Sequence, residues 1–132
     1  MGARLSVVIA GLPSAVLVFD RSDRVVFYNP KVLEIYGLED VDLMGWTPQD
    51  FVREVGQCHE DPAVPLEIAR RVTEEKDRVH RMEFVLVKPK RRLIERISAP
   101  VLMPDGEWFG QVVLYHDLTD LRDAVSKLRV IP

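Results

Sequence analysis

Cysteine is nearly absent: Cys58 is the only one in the chain, which excludes an internal disulfide framework and fits a reducing compartment. Missing too is any stretch approaching the roughly 18 uninterrupted apolar residues of a membrane span. Neither sign of charge dominates. Eighteen basic residues stand against 21 acidic ones, a net charge of −3, so there is no global pull toward nucleic acid or anionic membrane. No nucleophile–base pair, paired acid motif or glycine-rich phosphate loop is visible, which leaves a small enzyme with little support. Internal repeats, low-complexity tracts and a second domain are lacking as well.

What is present is an ordinary globular composition, 47% apolar and 30% charged over 132 residues, enough for one domain with a real core. The segment Leu5 to Leu12 could pass for a signal peptide, but Arg4 is its only basic flank and its apolar character runs on through Pro13 to Asp20. It reads better as a helix followed by a strand, in a cytoplasmic chain.

Leu5, Val8, Ile9 and Leu12 sit at helical spacing, which predicts an amphipathic helix over 1–12 ended by Gly11 and Pro13. A core over 13–117 follows. Ser14 to Asp20, the polar turn Arg21-Ser22-Asp23 and Arg24 to Tyr28 form a first hairpin. Asn29-Pro30 predicts a helix whose Asn side chain caps free N–H groups and whose Pro needs no partner. That helix carries Val32, Leu33 and Ile35 and ends at Gly37. Thr47-Pro48 and Asp61-Pro62 repeat the device, so three short helices fill Pro30 to Lys76, the last with Val64, Ile68 and Val72 on one face.

From His80 the apolar period becomes two, with Met82, Phe84 and Leu86 on one side of a half-buried strand. Lys88-Pro89-Lys90-Arg91 turns the chain into Leu93 to Leu102. Pro104-Asp105-Gly106 then turns it into a strand from Trp108 to Tyr115. Leu118, Leu121, Val125 and Leu128 recur at spacings of 3, 4 and 3, a heptad-type seam on a helix over 118–132. A strand that continues into a helix with its own apolar stripe is a mechanical connection.

This order resembles the PAS family of sensory domains over nearly the whole chain. Ala15 to Asp20 and Arg24 to Asn29 look like its opening hairpin, with Asn29 at the family's frequent asparagine. Tyr36-Gly37-Leu38 and Asp42-Leu43-Met44-Gly45 are similar to the loop that follows. Pro100-Val101-Leu102, Asp105-Gly106 and Gly110 match the last hairpin, and Asp117-Leu118-Thr119 matches the exit to the signalling helix. The resemblance implies an α+β fold, a five-stranded antiparallel sheet with several short helices on one face and N- and C-terminal amphipathic helices. It implies a homodimer formed through the terminal helices. It further implies a pocket for a small ligand, and an effector such as a histidine kinase that reads a small-molecule or redox signal. The Asp117–Thr119 pair would tie the last strand to the output helix, with Leu121, Val125 and Leu128 passing the change onward.

The pocket expected on this basis is lined by Met82, Phe84 and Leu86 facing Ile68 and Val72, with Trp46 and Phe51 at one end and Val112 and Leu114 at the back. None of these positions is charged. That favours an apolar, lipid-like ligand, or a core filled by its own side chains in a pure interaction module. Cys58-His59-Glu60-Asp61 reads as solvated residues before a helix cap, since adjacent helical residues do not face one another. Haem-binding members of the family take an axial histidine near the long helix, which makes His59 the one haem option, and no other metal site is expected. Cys58 lacks the motif of the photoreactive flavin branch. Non-covalent FAD beside Trp46 and Trp108 is a lesser option. Lys88, Lys90, Arg91, Arg92 and Arg96 read as a solvated hairpin tip.

Overall fold

The computed structural model of the protein describes residues 14–121. The expected helix over 1–12, and Val125 and Leu128 of the C-terminal seam, lie outside the described residues. Five strands, β1 (Ala15–Asp20), β2 (Val25–Tyr28), β3 (His80–Leu86), β4 (Arg92–Leu102) and β5 (Trp108–Asp117), form one sheet in the order β2-β1-β5-β4-β3. Every neighbouring pair is antiparallel. Between β2 and β3 come α1 (Pro30–Tyr36), α2 (Pro48–Val55), a single 3-10 turn (Gly56–Cys58) and α3 (Ala63–Glu74). The expected α+β architecture is therefore the observed one. No helix of the described residues is long and apolar enough to cross a membrane.

The first hairpin turns on Asp20, whose carboxylate accepts the amides of Ser22 and Arg24 at 2.8 and 3.2 Å. Asp23 sits in the turn at φ 60°, a conformation that Asp adopts more readily than most residues. At the last hairpin Gly106, at φ 88°, closes the turn by donating to the Met103 carbonyl at 2.8 Å. Gly110 meets a different demand. A Cβ there would lie 1.9 Å from the Phe19 carbonyl oxygen, so β1 and β5 approach closely only because that position is bare.

The helix starts differ in how they are closed. Thr47 and Asp50 form a reciprocal capping box at α2, with the Asp50 amide donating to Thr47 Oγ1 at 3.2 Å and the Thr47 amide to Asp50 Oδ2 at 2.8 Å. At α3 the Asp61 carboxylate accepts the Ala63 amide at 2.9 Å. Asn29 departs from the expected role: its side chain makes no cap bond to α1. Instead its Oδ1 accepts the Val16 amide at 3.0 Å and its Nδ2 donates to the Ser14 carbonyl at 2.7 Å. The side chain is buried, and there the backbone at the start of β1 offers both a donor and an acceptor, the Val16 amide being buried and in need of a partner.

The helices cover one face of the sheet. Ala15, Leu17, Phe19, Phe84, Leu86, Ile94, Val113 and Tyr115 point into that layer and join Val32, Ile35, Leu43, Val55 and Val72 in the main core. The opposite face carries a smaller apolar cluster of Val16 and Val18 with Val26, Phe27, Phe109, Val112 and Leu114. Because side chains alternate along a strand, Val113 and Tyr115 inside place Val112 and Leu114 outside. Those two are therefore not at the back of a pocket beneath the helices.

Candidate functional site

Between the sheet and the helices lies a cavity of about 20 Å³. Phe51 on α2 and Ile68 and Val72 on α3 contribute to its wall, and Tyr36, His59, Arg96 and Tyr115 complete its polar and aromatic side. Trp46 stands one layer back, edge-on to Phe51 with ring centroids 5.0 Å apart. Met82, Phe84 and Leu86 share the core cluster with Ile68 and Val72 without reaching the cavity. Trp108 is elsewhere too, beneath the Lys76 ammonium at 5.5 Å, so neither tryptophan offers a flavin wall. A cavity of this size has room for a water-sized group and, in this form, for neither haem nor FAD.

Two expectations about polar residues are overturned here. Cys58 and His59 are not solvated; they are 6% and 7% exposed. The 3-10 turn lays this segment along the edge of β3, with the Val87 amide donating to the Cys58 carbonyl at 2.7 Å and the Glu60 amide to the Val85 carbonyl at 2.9 Å. The His59 ring lies between Tyr36 and Phe84, at 6.2 and 4.9 Å from their ring centroids. Burial lowers its pKa to about 4, so the imidazole is neutral near pH 7. Burial likewise raises the Cys58 thiol, with Lys88 opposing.

Arg96 is the second correction. It is not part of a solvated tip but is 3% exposed on the helix-facing side of β4, in phase with buried Ile94 and Ser98. Its guanidinium carbon lies 5.9 Å from the Tyr115 ring centroid, and its Nε has no hydrogen-bond partner. The Nδ1 of His59 is also unpartnered. The cavity wall thus holds one positive charge, one neutral imidazole and no carboxylate. Burial holds the Tyr36 hydroxyl well above its ordinary pKa, and Tyr115 adds to the effect, so it stays protonated.

Sequence reasoning missed Tyr36, Arg96, Gln111 and Tyr115 as interior groups. Gln111 is 1% exposed and donates from Nε2 to the Val72 carbonyl at 2.8 Å, fastening α3 to β5. Alternation along β5 was the available signal, but its two phases, Gln111-Val113-Tyr115 and Val112-Leu114, are both apolar enough to face a core. Hydropathy picks the second phase. The buried carbonyl of Val72, which needs a donor, is matched by the first.

At the end of β5 the chain turns into a helical segment starting at Thr119. The Leu118 amide donates to the Leu93 carbonyl at 2.8 Å, extending the β4–β5 ladder by one bond. The Leu93 amide donates to Thr119 Oγ1 at 2.9 Å, and that hydroxyl donates to Asp117 Oδ1 at 2.6 Å. The same carboxylate oxygen accepts the Thr119 amide at 3.0 Å, while Arg92 Nη1 donates to Oδ2 at 2.7 Å. Burial raises the Asp117 pKa, but these donors outweigh it and hold the carboxyl below its ordinary value. Leu121 is 62% exposed just beyond the junction. Tyr115 links the two places: it walls the cavity on one side and a surface groove with Arg92 and Asp117 on the other.

Comparison with known proteins agrees with this geometry. No curated protein sequence matches the chain. Among solved structures, the phage VqmA–DPO complex superposes with a TM-score of 0.74 at 18% identity, over 97% of this chain and 57% of that one. The chain thus spans little more than half of VqmA's length. The PAS domain of Bordetella pertussis BvgS gives a TM-score of 0.69 at 24% identity, covering 98% of this chain and 94% of that one. The sensor region of a sensor histidine kinase gives 0.61 at 17% identity, covering 82% and 40%. These likenesses establish a shared fold. Sequence comparison matches the family described as the PAS fold over residues 9–123, and on that match the chain belongs to the PAS family.

Proposed function

We propose that this domain is a non-catalytic sensory and dimerisation module: it receives a small molecule in the cavity beneath its helices and passes the change through β5 to the helix that begins at Thr119. The observation that carries this reading is the position of Tyr115, a wall of the cavity only two residues before Asp117 on the same strand. A ligand that favours one Tyr115 placement over another biases how β5 ends, and with it the Arg92–Asp117–Thr119 bonds. Support comes from the presence of DPO in the phage VqmA structure and of the fold in a histidine kinase sensor region. Beyond the helix the effector is a kinase or another output domain, and the terminal helices pair two copies.

The test is a mass spectrum of the freshly purified chain under native and then denaturing conditions, followed by hydrogen exchange with and without any compound found. A mass surplus lost on denaturation, together with changed exchange at the Leu93 and Leu118 amides, is the expected result. A bare mass and unchanged exchange overturn it. They would favour the second reading, an interaction module with a filled core, which the cavity's volume of about 20 Å³ supports.

A further inference from the structure

Among the described residues, the arginines follow one rule with one exception. Arg21, Arg53, Arg70, Arg71, Arg78, Arg81, Arg91 and Arg92 each reach a carboxylate, and Arg24 donates to the Gly45 carbonyl at 3.0 Å. Arg96 is the most deeply buried arginine among the described residues, and its Nε has no hydrogen-bond partner. An uncompensated buried charge is among the costliest features a fold can carry. The wall around it contains no acidic side chain, so no residue of the cavity compensates the charge. Beside it stands the imidazole of His59, 7% exposed with a ring nitrogen that lacks a partner. Two unsatisfied polar groups therefore converge on one space, and the Tyr36 and Tyr115 rings, 6.2 Å apart and edge-to-face, flank it.

We infer that the cavity takes a small organic monocarboxylate whose carboxylate pairs with the Arg96 guanidinium. The planar fork of arginine matches a carboxylate with two parallel hydrogen bonds, and a single negative charge neutralises the wall. The aromatic flanks suit a small, flat body behind the headgroup. A volume of about 20 Å³ holds only a water-sized group, so entry of the acid requires the Phe51 and Ile68 side chains to give way. This inference rests on the cavity being the ligand site proposed above, and it replaces the lipid-like apolar ligand that the uncharged pocket positions favoured.

The experiment is thermal unfolding of the full chain at constant ionic strength with sodium acetate or sodium benzoate, and with the neutral amides acetamide and benzamide. At least one acid is expected to raise the melting temperature saturably, with its amide giving no shift. In Arg96→Met the response should vanish, the acid binding at least about tenfold more weakly. Arg96→Met should also melt higher than the wild type without ligand, because an unpaired buried charge has been replaced by an apolar chain of similar length. A purely structural arginine would give the opposite sign. Arg96→Lys, which keeps the charge and loses the fork, serves if the methionine variant fails to fold and should bind more weakly than wild type. Amides that stabilise as well as acids, or an Arg96→Met or Arg96→Lys variant that responds like the wild type, overturn the carboxylate assignment and leave the ligand site standing. If no probe binds but a neutral compound co-purifies, only the assignment falls. If no probe binds and the native mass is bare, the ligand-site reading falls with it.

Discussion

Arg92 on β4 donates to the Asp117 carboxylate at 2.7 Å, joining adjacent strands at the point where the last strand gives way to a helix. The other oxygen of that carboxylate receives the hydroxyl and amide of Thr119, whose oxygen in turn accepts the Leu93 amide. Asp117 and Thr119 are thus one bonded unit rather than two independent caps. Removing either leaves the other's partners short.

Coupling within this unit is measurable. Thr119→Val should cost about 1–2 kcal/mol, because the Leu93 amide loses its acceptor. A double-mutant cycle with Asp117→Asn should return an interaction energy of about 0.5–3 kcal/mol. Urea unfolding of the four proteins gives the value, and simple additivity would dissolve the unit.

The interior histidine makes stability depend on pH. His59 has a folded pKa of about 4 against an ordinary 6.5, lowered by burial. Between those values the unfolded chain takes up a proton that the folded chain refuses, so stability falls as the pH drops from 6.5 toward 4. The expected loss is about 1–3 kcal/mol. Below that window the carboxylates take over. Glu67, held at about 2 by Arg70 and Arg71, and Asp50, Glu95 and Asp117, all below their ordinary values, lose their stabilisation as they protonate. His59→Phe should flatten the upper window and leave the lower one. Denaturation midpoints from pH 7.5 to 4.5 that fall as steeply in His59→Phe as in wild type would contradict this.

Asn29 holds the first strand by both ends of its amide. Asn29→Ala should destabilise the domain by about 2–3 kcal/mol, since it strands the buried Val16 amide as well as opening space. A change below about 0.5 kcal/mol in urea titration, the level of an ordinary surface substitution, would show that water replaces the side chain.

Gly110→Ala probes the closest strand approach. With its Cβ placed 1.9 Å from a backbone oxygen of β1, the substitution should cost at least about 3 kcal/mol. Circular dichroism melting would register it as a large drop. A melting point close to wild type would mean that β1 and β5 separate easily.

Leu121 offers the described part of the terminal seam. Under the proposed dimer, Leu121→Asp should weaken self-association by about tenfold or more, a desolvation cost of at least about 1.4 kcal/mol. Sedimentation velocity over a concentration series measures it. An unchanged distribution would remove the output helix as a dimer element.

The sequence by itself determined the elements and their order. Proline starts helices at Pro30 and Pro48, because a residue without an N–H fits the first turn. Asp105-Gly106 turns the last hairpin because Gly accepts the positive φ of 88° found there. Period-two apolar runs marked the strands, and motif order pointed to the family. What the tertiary structure decided was which side of each strand faces the helices, and which polar residues are interior. On β1 and β5 both faces of the sheet are apolar, so alternation alone does not choose between Val112-Leu114 and Val113-Tyr115. Arg96 sits in a run of basic residues and looks solvated until strand pairing sets it opposite Tyr115 and Met82. Its burial is a property of register, which joins residues far apart in the chain, and no local pattern encodes it.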